Sequence, residues 1–269
     1  MTAAGSERYA STGRASLFGQ WWSPAAELKA VVAIVHGYAE HSGRYAQVAA
    51  DLNAAGYAVE ALDLRGHGQS SGERVSVQRF EEFLDDVDAF LARVRGRHPG
   101  RKLFLLGHSM GGGVVTLYTI LRKPNLDGVL LSGAALLSRR EPPPPEVSSQ
   151  PRAPLPASAI SRDPAVVAAY EGDPLVYRGP GNPAMMAAFA PAGDIVQERM
   201  GEIALPLLIM HGTADLLVPY AGSEQLMARA ASRDKTLRLY DGLYHEILNE
   251  PERGQVLREI IAWLDARAG

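Results

Sequence analysis

Leu103-Phe104-Leu105-Leu106-Gly107-His108-Ser109-Met110-Gly111-Gly112-Gly113-Val114-Val115 carries an apolar run into a glycine-flanked serine and straight on into a second apolar segment. Leu103 to Leu106 reads as a strand and Met110 to Leu121 as a helix, so Ser109 stands at a strand-to-helix turn. Such a turn strains the serine backbone and lifts its hydroxyl out of the sheet. Glycine two residues to either side is required because a Cβ there would meet the neighbouring chain. The spacing alone is a weak signal in a chain with 27 glycines. The strand before it and the helix after it are what make Ser109 a candidate nucleophile.

Working outward, strands and helices alternate, the pattern of a mostly parallel sheet covered on both faces. Ala30 to Val35 is a continuous apolar run of the kind a doubly buried strand needs. Arg44 to Ala55 reads as a helix stopped by Gly56, and Tyr57 to Leu62 as the next strand. From Gln78 to Val94, Phe80, Phe83, Leu84, Val87, Phe90, Leu91 and Val94 form one helical stripe. Val129 to Leu131, Leu205 to Met210 and Thr236 to Tyr240 are further strands. Tyr220 to Ala231 and Arg253 to Arg267 are helices, and Ser16 to Trp22 is expected as an antiparallel edge strand. One region breaks the alternation: between Glu141 and Pro156, 7 of 16 residues are proline, which excludes regular helix. A linker of polyproline character and a mobile lid are both open readings, the linker slightly ahead. Pro164 to Tyr170 and Pro183 to Phe189 then read as helical pieces of a small insertion.

The chain has 269 residues, enough to bury roughly 70–75% of its unfolded surface. A net charge of −3 gives no basic footprint for a nucleic-acid partner. With no cysteine, thiol chemistry and Cys-ligated metal are excluded. Met1 to Gln20 shows no leader pattern and no stretch reaches 18 apolar residues, so a cytoplasmic protein is expected.

A serine hydroxyl needs a base, and the base needs a carboxylate to orient it. Beyond Ser109 there are two histidines. His245 lies in the loop after the Thr236 strand, whereas His211 ends a strand. Asp215, in His211-Gly212-Thr213-Ala214-Asp215, lies in the loop after the Leu205 strand. Ser109, Asp215 and His245 thus occur in the order nucleophile, acid, base, each after a strand, where ligands bind in open α/β sheets. Each residue also has a plainer reading: Asp215 as a helix cap and His245 as a partner of loop carbonyls. Together, in order, the three weigh against those readings. Asp241 and Glu246 are rival carboxylates, but neither lies in the expected loop. Oxyanion donors are expected from the backbone N–H groups of Met110 and Tyr38. His36 and His41 flank Glu40 without metal-ligand spacing, so no metal and no cofactor are expected. Gly66-His67-Gly68 reads as a tight turn beneath the site. Met185, Met186 and Phe189 either pack the insertion on the core or wall an acyl chain.

These residues resemble the α/β-hydrolase superfamily, and within it the monoacylglycerol lipase group in its bacterial form. The resemblance is carried by His36-Gly37-Tyr38-Ala39-Glu40-His41-Ser42-Gly43-Arg44-Tyr45, by Leu62-Asp63-Leu64-Arg65-Gly66-His67-Gly68-Gln69-Ser70, and by Gly107-His108-Ser109-Met110-Gly111. Ser161-Arg162-Asp163-Pro164, His211-Gly212-Thr213-Ala214-Asp215 and Tyr244-His245-Glu246 extend it over nearly the whole chain. It implies an α/β-hydrolase fold, a mostly parallel central sheet flanked by helices. Residues 1–134 and 201–269 would form the core and 135–200 a small, shortened cap. It also implies hydrolysis of monoacylglycerols to glycerol and fatty acid, with Ser109, Asp215 and His245 as triad and Tyr38 and Met110 as oxyanion donors. Glu40 and Arg44 match positions near a polar exit from the pocket; a structural ion pair is an equal reading. The expected partner is a small lipid ester, with at most peripheral membrane contact through the cap, and oligomeric state is left open. The proline-rich stretch replaces an apolar cap helix, so a more open pocket that accepts short esters is expected. A general short-chain or medium-chain carboxylesterase, another monoester hydrolase or an acyltransferase fits the same triad; a non-catalytic binding protein fits it poorly.

Overall fold

The computed structural model of the chain describes residues 4–136 and 154–269. The strands are β1 (Ala4–Ala10), β2 (Ser16–Trp22), β3 (Ala30–Val35), β4 (Tyr57–Asp63), β5 (Leu103–His108), β6 (Gly128–Ser132), β7 (Leu207–Gly212) and β8 (Lys235–Tyr240). They form one sheet in the order β1-β2-β4-β3-β5-β6-β7-β8. All neighbours from β4 to β8 are parallel; β2, expected at the edge, instead lies second, antiparallel to β4 and to the edge strand β1. β5, which carries the nucleophile turn, lies in the middle, and its residues are all buried.

The helices are α1 (Ala46–Ala54), α2 (Glu81–Arg97), α3 (Met110–Arg122), α4 (Pro164–Gly172), α5 (Pro183–Arg199), α6 (Ala221–Arg229) and α7 (Arg253–Ala268). Because side chains alternate along a strand, β3 feeds both faces of the sheet. Ala30, Val32 and Ile34 pack with α1 and α7. Val31, Ala33 and Val35 pack with α2, α3, α5 and α6. Both faces are closed, which is why the central strands read as unbroken apolar runs. Among the described residues no helix is long and apolar enough to cross a membrane.

Several boundaries differ from the sequence reading, each for a local reason. β1 was not foreseen: its burial alternates between exposed and half-buried and its residues include Ser6, Glu7 and Arg8, so no apolar signal marks it. Before α1, Ser42–Tyr45 is a separate 3-10 turn, started by His41 Nδ1, which accepts from the Gly43 N–H. α2 starts at Glu81 rather than Gln78, because Glu82 Oε1 accepts from the Gln78 and Arg79 amides and ends the preceding turn. β7 starts after Pro206, which has no N–H for the ladder. α5 continues through Pro191 to Arg199 because Ala192 and Val196 bury on the same face as Met185. The proline-rich segment falls outside the described residues except for Pro154, Leu155 and Pro156.

Ser109 has φ 54° and ψ −119°, a region that side chains other than glycine rarely adopt. A Cβ at Gly107 would lie 2.5 Å from the Gly111 carbonyl, and one at Gly111 would overlap the carbonyls of Val35 and His36. Gly111→Ala is therefore expected to lower the thermal midpoint by at least about 4 °C, taking overpacking at about 2 kcal/mol. It is also expected to abolish labelling of Ser109 by a fluorophosphonate; a fully labelled variant melting with the wild type would refute this account of the turn.

Candidate active site

Three loops at the carboxyl ends of β5, β7 and β8 bring Ser109, Asp215 and His245 together. Ser109 Oγ donates to His245 Nε2 at 2.8 Å, and His245 Nδ1–H donates to Asp215 Oδ2 at 2.7 Å. The Asp215 side chain is wholly buried and that of His245 nearly so. Burial pushes the Asp215 carboxyl up, but hydrogen bonds from His211 and His245 outweigh it and hold the group well below the usual carboxylate range. The aspartate stays ionised wherever the histidine can act. Asp215 does not cap α6, whose N-cap is Tyr220; its other oxygen, Oδ1, instead accepts from the Leu217 and Val218 amides of its own loop at 2.8 and 2.9 Å. The rival carboxylates are engaged elsewhere. Asp241 accepts from the Thr213 hydroxyl, and Glu246 holds Arg44 in two hydrogen bonds.

Glu40 and Arg44 form more than a pair. Glu40 Oε1 accepts from the Gly37 amide at 2.6 Å and from the Tyr45 hydroxyl at 2.8 Å. Arg44 donates to Glu40 Oε2 at 2.8 Å and to both oxygens of Glu246, and its guanidinium lies 4.8 Å from the Tyr170 ring centre. One buried cation thus joins the loop after β3 to the residue following His245. Burial raises the Glu40 carboxyl, but the charge of Arg44 beside it prevails and holds it at about 2. Sequence reading missed Glu246 and Tyr170; an acidic residue directly after the base was the available signal, taken only as a rival acid.

Tyr38 and Gly37 line the small cavity beside Ser109, and Met110 opens α3 directly after it. That cavity measures about 20 Å³, and Leu155, Ile160 and Leu217 wall its apolar side. Met185, Met186 and Phe189 do not border it. Met185 is fully buried against α3, and Phe189 meets Phe80 edge-on at 5.0 Å, so their surroundings are those of packing between the insertion and the core. A larger open groove of about 440 Å³ lies outside, between α4 and Tyr244, away from the serine.

The insertion grips both catalytic loops. The Tyr177 amide donates to the Ala39 carbonyl, and His41 Nε2–H donates to Asp173 at 2.9 Å. The Glu246 amide donates to the Ile160 carbonyl at 2.8 Å, and Arg162 pairs with Glu250. Beneath the site Gly66, His67 and Gly68 form the expected tight turn, with the His67 ring stacked near His36. Among the described residues no cluster of His, Asp and Glu is arranged to hold a metal.

The family model described as serine aminopeptidase, S33, matches residues 26–252. The chain is 39% identical to the monoacylglycerol lipase of Mycolicibacterium smegmatis over 95% of each chain. It is 34% identical to human monoglyceride lipase, over 93% of this chain and 87% of the relative. A crystal structure of Paleococcus ferrophilus monoacylglycerol lipase superposes with a TM-score of 0.79 at 29% identity, over 98% of this chain and 99% of the other.

Acid should weaken this site in a defined way. Burial holds His67 at about 3 and His108 at about 4, both below the ordinary 6.5, so the unfolded chain binds protons there that the native one refuses. Their cost is absent above pH 6.5 and grows as pH falls toward those values, by about 1.4 kcal/mol per unit for each ring. The lowered carboxyl of Glu40 acts in the same direction below its ordinary 4.5. Arg44→Met leaves two buried carboxylates without their cation and should cost about 3–5 kcal/mol at pH 7. Protonation relieves that repulsion, so the gap to wild type in thermal midpoint narrows between pH 7 and pH 5. A gap that stays constant or widens contradicts the buried Glu40–Arg44–Glu246 cluster.

Proposed function

The chain belongs to the serine aminopeptidase, S33, family, and from that membership and the geometry around Ser109 we propose that it hydrolyses monoacylglycerols to glycerol and a free fatty acid. It is a serine ester hydrolase. The observation that carries the reading is the unbroken hydrogen-bond chain from Ser109 through His245 to an Asp215 that stays ionised. The named activities of the relatives in Mycolicibacterium smegmatis and human supply the substrate class.

The reaction runs in two steps. His245 Nε2 takes the Ser109 proton as Oγ attacks the ester carbonyl carbon, and the carbonyl oxygen becomes an oxyanion. In this reading the Tyr38 and Met110 amides receive it, a pair of donors worth a few kcal/mol to the transition state. The imidazolium, stabilised by Asp215, then protonates the departing glycerol oxygen and leaves the acyl group on Ser109. Water, deprotonated by His245, attacks the acyl-enzyme and releases the acid. The division of the cavity supports the substrate reading: Leu155, Ile160 and Leu217 face it with apolar side chains, and Glu40, Glu246 and Tyr170 with polar ones. An ester with an apolar acyl group and a hydroxylated alcohol matches both walls. Contact with a lipid surface, where it occurs, is peripheral and made through the insertion, where the Leu155 side chain is 37% exposed.

A general short-chain carboxylesterase is the second reading, favoured by the small cavity alone. A panel of monoacylglycerols of several chain lengths, diolein, triolein and a p-nitrophenyl ester separates the two. Monoacylglycerol turnover is expected well above diolein, lost in Ser109→Ala and lowered about 10⁴-fold in Asp215→Asn. Turnover of the p-nitrophenyl ester alone would replace the substrate but keep the mechanism.

A further inference from the structure

Asp215 Oδ2 has a second partner that the two-step reaction leaves without a task. His211, at the end of β7, places Nε2 3.0 Å from that oxygen and 3.0 Å from the Val218 carbonyl, and its Nδ1 lies 2.7 Å from Ser223 Oγ. A carboxylate and a carbonyl only accept, so Nε2 carries the proton and donates to both. In the neutral ring Nδ1 is bare, and the Ser223 hydroxyl donates to it. His211 and Ser223 are both wholly buried, so water does not supply these bonds. The ring's tautomer and its rotation are both set, and the chain of hydrogen bonds runs on past the triad: Ser109 to His245, His245 to Asp215, and from the far side Ser223 to His211 to Asp215.

We propose that His211, seated by Ser223, is a positioning residue for ester hydrolysis: its Nε2–H fixes the Asp215 oxygen that orients His245 and tempers how strongly that oxygen stabilises the imidazolium. This rests on the serine-hydrolase reading of Ser109. Two amides hold Oδ1, but Oδ2 would otherwise be fixed by His245 alone, the ring that it is meant to orient. A second donor on Oδ2 makes its position independent of where His245 stands during proton transfer. It also shares the electron density of that oxygen, so His245 meets a weaker acceptor than an unshared carboxylate. Donation from Ser223 into Nδ1 polarises the ring and strengthens the Nε2–H bond, the usual cooperativity of linked hydrogen bonds.

The sign of the effect follows. Without the His211 donor, Oδ2 pulls harder on the His245 proton, the imidazolium is favoured, and the acid limb of the rate profile moves to higher pH. The other groups facing His245 stay in place: His108 from β5, with ring centres 4.8 Å apart, and Glu246 next in the chain with Arg44 and Glu40 beyond it.

The experiment measures kcat and KM against pH on p-nitrophenyl acetate for wild type, His211→Leu, His211→Gln and Ser223→Ala. Fluorophosphonate labelling gives the competent fraction and Ser109→Ala the background. His211→Leu is expected to lower kcat about tenfold per labelled site, since small misplacements of catalytic groups cost about that much or more. KM should stay within about threefold, and the acid limb should rise by about half a pH unit. His211→Gln, which keeps a donor near the same place, should recover most of the rate and the wild-type limb. Ser223→Ala, a change of one oxygen, should move the limb the same way by less, and carries the test if His211→Leu does not fold. Loss of labelled protein with an unmoved limb in every variant would make His211 a packing residue only and overturn the proposal. Identical profiles for His211→Leu and His211→Gln would do the same. Failure of wild-type enzyme to label would instead strike at the reading of Ser109 itself.

Discussion

Everything at the site depends on one close approach. The Gly111 backbone stands so near the carbonyls of Val35 and His36 that no Cβ fits between them. This contact lets α3 begin beside the end of β3, and Ser109 is bent to φ 54° where β5 becomes α3. The same contact brings the loop after β3, with Gly37 and Tyr38, against the nucleophile. Ser109 and the loop carrying Gly37 and Tyr38 are therefore placed by a single steric fact. Moving one without the other would require the sheet to part between β3 and β5, whose ladder is buried on both faces.

Electrostatics completes what packing begins. Three loops converge from different strands, and polar contacts lock them together in a region where water is scarce. Arg44 bridges the oxyanion loop to the residue after His245, while Asp215 divides its two oxygens between its own loop and the catalytic histidine. Buried ions add little net stability when paired and a large penalty when one partner is missing. Their service here is geometric: each fixes the distance between segments that share no secondary structure.

Much of this was legible in the chain. The apolar runs of β3 and β5 and the stripe of α2 follow directly from periodicity, because both faces of the sheet are covered. Ser109, Asp215 and His245 could be found from order and from their places after strands. The edge strand β1 could not, since half its side chains face water and leave no apolar rhythm. Nor could the passage of α5 through Pro191, where burial of Ala192 and Val196 overrides a residue that ordinarily ends helices. The second partner of Arg44 stayed hidden for a different reason: Glu246 is 202 positions away, and no local pattern announces a contact at that separation. His211 was read as a strand terminus, which it is; that its ring also turns toward Asp215 depends on how the loop from Gly212 to Val218 folds back on β7.

The hydrogen bonds from Tyr177 to Ala39, from His41 to Asp173 and from Glu246 to Ile160 bear on how this architecture varies. The segment between β6 and β7 is spliced into the chain like a separable module, yet its backbone and side chains help to hold both the oxyanion loop and the base loop in register. It serves as a scaffold for both. Exchanging it for the corresponding segment of another hydrolase would change the alignment of those loops as well. Recombination among such enzymes therefore has to conserve the junction contacts at Ala39, His41 and Glu246 before it can vary the surface above the substrate.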